Sequence, residues 1–490
     1  MGKRGTKILA LMLSLVLVIG AFAGCAAPVK EDAAKEANGT AEAVTKNYDV
    51  VVVGAGAAGL TAAIEAAEKG AKVAVVEKMP MAGGSTVLSG GIVYGTGSEL
   101  HKKAGIKDSV EELVKYWSER AEGKNDVEQL TFVAERSGQT IDWLVKLGVQ
   151  FSDPTPTGTS PVPRAVTSTE HGAGIIKPLK AYAESKNVEF FMQTEVKELI
   201  TNEKGEVTGV RAVDKEKKDI NFTAKAVVLA TGGFDRNPEL VKKYAPIADG
   251  QPSFAGTGNA GNGLTMAEKV NADVVSHGGV IGFRTVEGEP AYTTEVCMLM
   301  WMPYLSVNKQ GQRFVNESID YPLFYEELVK QEGQVSYLIF DGSTYVPTLD
   351  KAVEKGSAFA ADTLDELAEK AGINAEGLNA TVKEYNEMIK NGKDTKYGKD
   401  LTGHAAIEKP KYYALKVVPA ILGTMTGIKT NLDAQVIDKS GKAVTGLYAA
   451  GEVANGDFFN TVYPASGTSI QMSLTFGRVA GANAAKLSGK

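Results

Sequence analysis

The residues at positions 54–77 have types and spacing suited to holding a pyrophosphate. Gly54, Gly56 and Gly59 stand in Gly54-Ala-Gly-Ala-Ala-Gly59, and Glu77 follows 23 positions after Gly54. In such a set the first glycine allows a tight turn, and the second lets backbone approach the phosphates. The third lets a helix pack close to a strand, and the acid receives ribose hydroxyls. These residues need a strand, a helix and a second strand to position them. Residues 48–53 form a mostly β-branched run, as expected of a strand buried on both faces. Residues 60–69 read as a helix that ends at Gly70, and residues 72–76 as the strand that delivers Glu77. The helix N-terminus then faces the phosphates.

Four further segments point to FAD rather than NAD. Gly83-Gly84-Ser85-Thr86 with Ser89-Gly90-Gly91 is a glycine-rich turn just after the ribose acid, suited to a chain passing under phosphates and flavin. The run 226–233 is a buried strand entering a turn at Ala230-Thr231-Gly232, preceded by residues 188–194 and a hairpin turning at Lys204-Gly205. Gly446-Leu-Tyr-Ala-Ala-Gly451-Glu452 places Glu452 to bond a ribityl chain. Ser466-Gly467-Thr468-Ser469 opens a final helix, whose positive end would stabilise a reduced, anionic flavin.

Together these segments resemble the FAD-binding family that contains fumarate reductase flavoproteins, urocanate reductases and 3-ketosteroid dehydrogenases, from Tyr48 to the C-terminus. The resemblance implies an α/β fold: a Rossmann-like, GR2-type FAD-binding domain built from both ends of the chain, with an inserted α+β substrate cap. The expected divisions are 47–271 and 420–490 for the FAD-binding domain and 272–419 for the cap. The expected FAD contacts are Gly54, Gly56, Ala57, Ala58, Gly59, Glu77, Lys78, Gly83, Gly84, Ser85, Thr86, Ser89, Gly90, Gly91, Val196, Ala230, Thr231, Gly232, Gly451, Glu452, Ser466, Thr468, Ser469 and Ile470. Gly261-Asn262-Gly263 sits where relatives often have Gly-Asp-Gly; the Asn lacks the charge but still hydrogen-bonds.

The branches of the family differ in their substrate residues. The fumarate reductase branch places an Arg four positions after the Glu of Arg-Phe-Val-Asn-Glu; here Arg313-Phe-Val-Asn-Glu317 is followed by Tyr321. That branch also carries a His and an Arg after the Gly-Glu-Val of the third segment, and neither stands in residues 451–464. A further cap His is replaced near Phe283, which with Phe458 and Phe459 makes an apolar wall. Asn316-Glu-Ser-x-x-Tyr321, Gly423-Thr-Met-Thr-Gly427 and Tyr463-Pro-Ala-Ser-Gly467 resemble 3-ketosteroid dehydrogenases instead. That resemblance implies Tyr321 as the acid/base and Tyr463 with the Gly467 N–H as the carbonyl-oxygen site. Thr426 and Ala465-Ser466 depart from that branch's usual residues.

The implied chemistry is coherent. Hydride transfer to the carbon β to a carbonyl puts negative charge on the oxygen, where Tyr463 and Gly467 would stabilise an enolate. Tyr321, with an ordinary phenol pKa of ~10, serves better as an acid toward the α carbon than as a base. This favours reduction of an enone or steroid-like substrate. The alternatives are a reductase of an unsaturated carboxylate, for which Arg284 is the one cap cation kept as a partner, and a lipid-anchored binding protein. His277 and Arg284 read as surface or rim, Cys297 as a buried apolar thiol. Met298, Met300 and Met302 alternate with the period of a strand. Residues 362–389 read as two amphipathic helices with Leu364, Leu367, Leu378 and Val382 facing the core.

The 490 residues allow two or three domains, and a net charge of −6 without a basic block beyond the first seven residues argues against nucleic acid. Cys25 and Cys297 are the only cysteines, too few for an iron–sulfur cluster or disulfide framework, and no Cys-x-x-Cys-His offers haem attachment. Electrons are therefore expected from an external donor, a membrane or surface protein. Lys3, Arg4 and Lys7 precede an apolar run at 8–23 and Phe22-Ala-Gly-Cys25. This order is that of a secretory signal, and its ending resembles the bacterial lipobox. The expectation is a signal peptide at 1–24, a lipidated Cys25, a disordered tether at 25–46 and an exported enzyme anchored on the extracytoplasmic face of the cell membrane.

Overall fold

Valine-rich runs make the central sheet. Val50–Val53, Val73–Val76 and Ala226–Leu229 are strands with every residue buried. The sheet runs in the order Gln435–Ile437, Ala443–Ala449, Ala226–Leu229, Val50–Val53, Val73–Val76, Glu189–Phe191. All neighbours are parallel except the first pair. Leu447 lies opposite Val227, so the chain's last strands return to the middle of a sheet begun by its first. This computed structural model describes residues 43–289 and 294–490. The expected signal peptide, the lipobox-like stretch with Cys25 and most of the expected tether lie outside the described residues.

The first helix, Ala57–Glu68, packs on the last, Thr468–Leu487. Their approach depends on small residues. A Cβ on Gly477 would stand 2.1 Å from Thr61 Oγ1, and one on Gly481 2.1 Å from Ala62 O. This close packing sets the N-terminal ends of both helices on the strand-exit edge of the sheet, where open α/β sheets bind dinucleotides.

A second sheet runs Val44–Asn47, Asp219–Thr223, Val207–Val213, Glu195–Thr201. Its first strand corrects the tether expectation: residues 44–46 pair with Ile220, Asn221 and Phe222. The strand is mostly exposed, and backbone pairing at a sheet edge does not require the apolar pattern that sequence reading looks for.

The cap has its own antiparallel sheet, Val280–Val286, Tyr412–Thr424, Ser336–Asp341, Leu305–Val307, with Ala358–Ala361 also paired to Tyr412–Thr424. Two apolar cores serve it. One gathers Phe283, Cys297, Phe324 and Phe340. The other gathers Leu305, Ile339, Leu367, Leu378 and Val382. Helices Leu364–Ala371 and Ala375–Asn391 match the amphipathic reading, with Leu364 only half-buried. The strand Tyr412–Thr424 crosses the division expected at 419/420 and carries the cap sheet into the FAD-binding half.

The alternating methionines do not form a strand. Glu295–Met298 is helical and Leu299–Trp301 continues as a 3-10 turn. Thr294 caps the start by accepting the Cys297 N–H at 3.2 Å, and this local capping outweighs the alternation. Met300 is buried, while Met298 and Met302 are exposed.

Candidate active site

The glycine motif is folded for close approach. Gly54 has φ +105°, and a Cβ there would stand 2.3 Å from Ala230 O; one on Gly59 would stand 1.9 Å from Gly54 O. Gly56 caps the helix without any side-chain hydrogen bond, so first-turn N–H groups face outward for an anion. Glu77 is aimed by two backbone donors, Ala55 N–H to Oε2 and Met79 N–H to Oε1, both at 2.8 Å. Lys78 Nζ bonds Asn262 Oδ1 at 2.8 Å, and Asn262 Nδ2 bonds Glu195 Oε1 at 3.2 Å, next to Val196. The Asn thus links the Lys78 and Val196 segments. Thr231 Oγ1 is buried without a partner among the described residues. An unsatisfied buried hydroxyl beside an uncapped helix and an oriented acid fits FAD.

Glu452, the residue expected to meet the ribityl chain, is paired through Asn259 with a second buried carboxylate, Asp235. Glu452 Oε1 accepts the Thr424 N–H at 2.8 Å. Asn259 Nδ2 bridges Asp235 Oδ1 at 2.9 Å, Ser85 Oγ at 3.1 Å and Glu452 Oε2 at 3.3 Å. Burial, then the neighbouring Asp235, raises the Glu452 pKa well above the carboxylate range, and burial also raises Asp235. Asp235 and Asn259 were not expected from the sequence, since nothing in their local pattern marks them.

The two expected tyrosines meet. Tyr321 opens the helix Tyr321–Leu328, and its side chain lies close enough to Tyr463 to lower that residue's pKa. The Tyr463 oxygen also accepts the N–H groups of Gly467 at 3.2 Å and Ser469 at 3.3 Å. This modifies the expected oxyanion site. The Gly467 N–H points at the Tyr463 oxygen, so the two stand in series rather than side by side. Burial pushes Tyr463 up to about 12, with Asp320 adding to the rise and the N–H donors and Tyr321 partly offsetting it. Tyr463 therefore keeps its proton at neutral pH.

In the first turn of the last helix, the Thr468 N–H returns to Ala465 O and the Gln471 N–H to Gly467 O. Among the described residues this leaves the Ile470 N–H as the donor with no protein acceptor. Ser466 is differently used from the expectation: its N–H and Oγ both go to Asp320, and its carbonyl accepts from Thr157 Oγ1.

Rings converge on the tyrosines from both sides. Phe254 meets Phe283 edge-on, Phe283 stacks on Trp301, and Trp301 meets Tyr321 edge-on at 6.1 Å. From the other half, Trp117, Phe458 and Phe459 lead to Tyr463, the last pair 5.4 Å apart. Phe283, Phe458 and Phe459, the candidate wall of the sequence analysis, are all buried members of these two ring series. Trp301 and Phe254 were not foreseen.

Arg284 corrects the surface expectation: it is 4% exposed. Its guanidinium lies 3.9 Å over the Phe324 ring, one helical turn beyond Tyr321. Nε and Nη1 are buried without a hydrogen-bond partner among the described residues. Glu317 is bound instead to Arg313 and Lys399. Burial pushes Arg284 down to about 10, Glu317 partly offsetting it, so the side chain stays charged at neutral pH. His277 is exposed and Cys297 buried, as expected.

Residues 49–470 match the FAD binding domain family. The chain belongs to this family. It is 33% identical over 471 residues to the urocanate reductase of Eggerthella lenta, covering 91% of this chain and 76% of that protein. It is 32% identical to the NADH:fumarate oxidoreductase of Klebsiella pneumoniae over 91% of this chain, but spans about half of that protein (48%). The crystal structure of the 3-ketosteroid-Δ4-(5α)-dehydrogenase of Rhodococcus jostii RHA1 with 4-androstene-3,17-dione superposes with a TM-score of 0.74 at 28% identity, covering 91% of this chain and 98% of that one. The protein is an FAD-dependent oxidoreductase acting on CH–CH bonds, and both branches named from its motifs are among its relatives.

Proposed function

We propose that the enzyme reduces the C=C bond of an α,β-unsaturated carbonyl compound of enone or steroid-like type. The observation that carries this reading is the approach of Tyr321 and Tyr463 to one another, the first edged by the Trp301 ring at 6.1 Å and the second by the Phe459 ring at 5.4 Å. Bound FAD supplies a hydride to the β carbon. The protein's part is binding, polarisation and protonation. Tyr463, protonated and polarised by two backbone N–H groups, donates to the carbonyl oxygen as negative charge builds there; one such donor is worth ~10²–10³ in rate. Tyr321 delivers the proton to the α carbon, a step worth ~10²–10⁴. Phe283, Trp301 and Phe459 exclude water and receive an apolar substrate body.

A second reading rests on one observation, the buried Arg284 guanidinium whose Nε and Nη1 have no hydrogen-bond partner among the described residues. A buried cation without a counter-ion is a natural receptor for a substrate carboxylate. On this reading the substrate is an unsaturated acid, as the names of the urocanate- and fumarate-reducing relatives would suggest.

We further propose that the protein is exported and held by a lipid on Cys25, with electrons from an external donor. The supports are the sequence order at residues 1–25 and the absence of a haem-attachment motif. Cys25→Ser should release the protein from the membrane fraction; unchanged membrane association refutes the anchor. The catalytic reading is tested by anaerobic reoxidation of dithionite-reduced holoenzyme with uncharged enones and with unsaturated acids. Fast reoxidation by enones supports the first reading, and reoxidation by acids alone replaces it with the second.

A further inference from the structure

Tyr321 belongs to the cap, whereas Tyr463 and Gly467 belong to the FAD-binding half. One carboxylate spans the gap. Asp320 caps the helix Tyr321–Leu328 by accepting the Tyr321 N–H on Oδ1 at 2.9 Å. The same carboxylate accepts the Ser466 N–H on Oδ2 at 3.1 Å and the Ser466 hydroxyl at 2.7 Å on Oδ1 and 2.9 Å on Oδ2. It also takes the Gly158 N–H at 3.0 Å. Its roughly four acceptor sites are thus filled by three separate chain segments.

The third segment is itself locked. Tyr116 Oη donates to Pro464 O at 2.8 Å and accepts the Thr159 N–H at 3.1 Å. Gly158, at φ +69°, leaves no room for a side chain: a Cβ would stand 2.2 Å from Tyr116 Oη. The turn 463–467 is therefore gripped on one side by the loop 157–159 and on the other by Asp320.

We propose that Asp320 is the positioning residue that sets Tyr321 against Tyr463, acting as an ionic latch between cap and FAD-binding half. Its neighbour in sequence is the proton donor, and its partner Ser466 precedes the glycine whose N–H polarises Tyr463. A charge-assisted bond to Ser466 therefore fixes the distance between two groups carried by different domains. This deepens the proposed function and rests on Tyr321 being the proton donor. A shift of about 1 Å in such a group costs ~10² in rate.

The test compares Asp320→Asn, Asp320→Glu, Ser466→Ala and Tyr321→Phe as FAD-loaded enzymes. Each is reduced with dithionite and reoxidised anaerobically by the best unsaturated acceptor and by ferricyanide, which needs no proton. The latch predicts that Asp320→Asn slows the unsaturated acceptor about 100-fold, with ferricyanide reoxidation and FAD content unchanged. Ser466→Ala should slow it in the same direction, and the double variant should be no slower than Asp320→Asn alone. Asp320→Glu, which restores the charge, should recover part of the rate. Equal losses with both acceptors would mark Asp320 as merely structural and overturn the proposal. So would an unchanged rate in Asp320→Asn when Tyr321→Phe is slow. An unchanged rate in Tyr321→Phe itself would refute the underlying proton-donor reading instead.

Discussion

Replacing Arg284 with Met should stabilise the protein. The guanidinium is buried, lies over Phe324 and has no acceptor on Nε or Nη1 among the described residues. Its fall from an ordinary 12.5 to about 10 corresponds to about 3 kcal/mol of unfavourable burial, at ~1.36 kcal/mol per pH unit. Against this stands the lost cation–π contact, ~0.5–2 kcal/mol, part of which a Met sulfur over the same ring restores. The net expectation is a gain of about 1–3 kcal/mol. Equilibrium denaturation of both holoenzymes at one fixed FAD concentration measures it. A loss of ~3–5 kcal/mol, the cost of breaking a satisfied buried pair, would refute the reasoning. The same variant separates the two substrate readings. Reoxidation by uncharged enones should survive in Arg284→Met, and any reoxidation by unsaturated acids should fall by at least tenfold.

Other expectations follow from the same contacts. Glu452 and Asp235 hold their protons in the FAD-free fold at a pH where the unfolded chain has lost them. The folded state then binds more protons, so stability falls as pH rises from the ordinary carboxylate range through the raised folded values; Glu452→Gln should flatten this slope in denaturation midpoints, and an unchanged slope contradicts the assignment. Arg313→Leu strips Glu317 and Asp394 of a cation held at 2.8 and 2.7 Å in a buried network with Lys399. Chemical denaturation should register a loss of ~3–5 kcal/mol, while flavin reoxidation per bound FAD stays the same. Gly59→Ala forces a Cβ to 1.9 Å from Gly54 O, and flavin absorbance of the purified protein should show FAD content falling severalfold.

The cofactor half of the molecule was legible because its chemistry is local. Val50–Val53, the turn through Gly54 and the helix after it are neighbours in sequence, and each residue type is required by its own backbone position. The tyrosines were legible only through resemblance, and their series arrangement with Gly467 was not legible at all. It depends on where the turn 463–467 folds back, a matter of packing. Arg284 shows the same limit. Its strand neighbour Phe283 and the helix over it, Tyr321–Leu328, are far apart in sequence, and no local pattern reports the burial that their contact creates. Asp320 did carry a local signal. An Asp before Tyr321-Pro322 is a helix-start signature, but the cross-domain bond to Ser466 is not contained in it.

The central claim is that Tyr321 protonates the substrate carbon in an aromatic enclosure suited to enones. Anaerobic stopped-flow reoxidation of the reduced holoenzyme, native against Tyr321→Phe, tests it most directly. The account predicts a loss of ~10²–10⁴ with an enone acceptor and none with ferricyanide. An enone rate that is unchanged in the variant, or acceptance of unsaturated acids alone by the native enzyme, would contradict it.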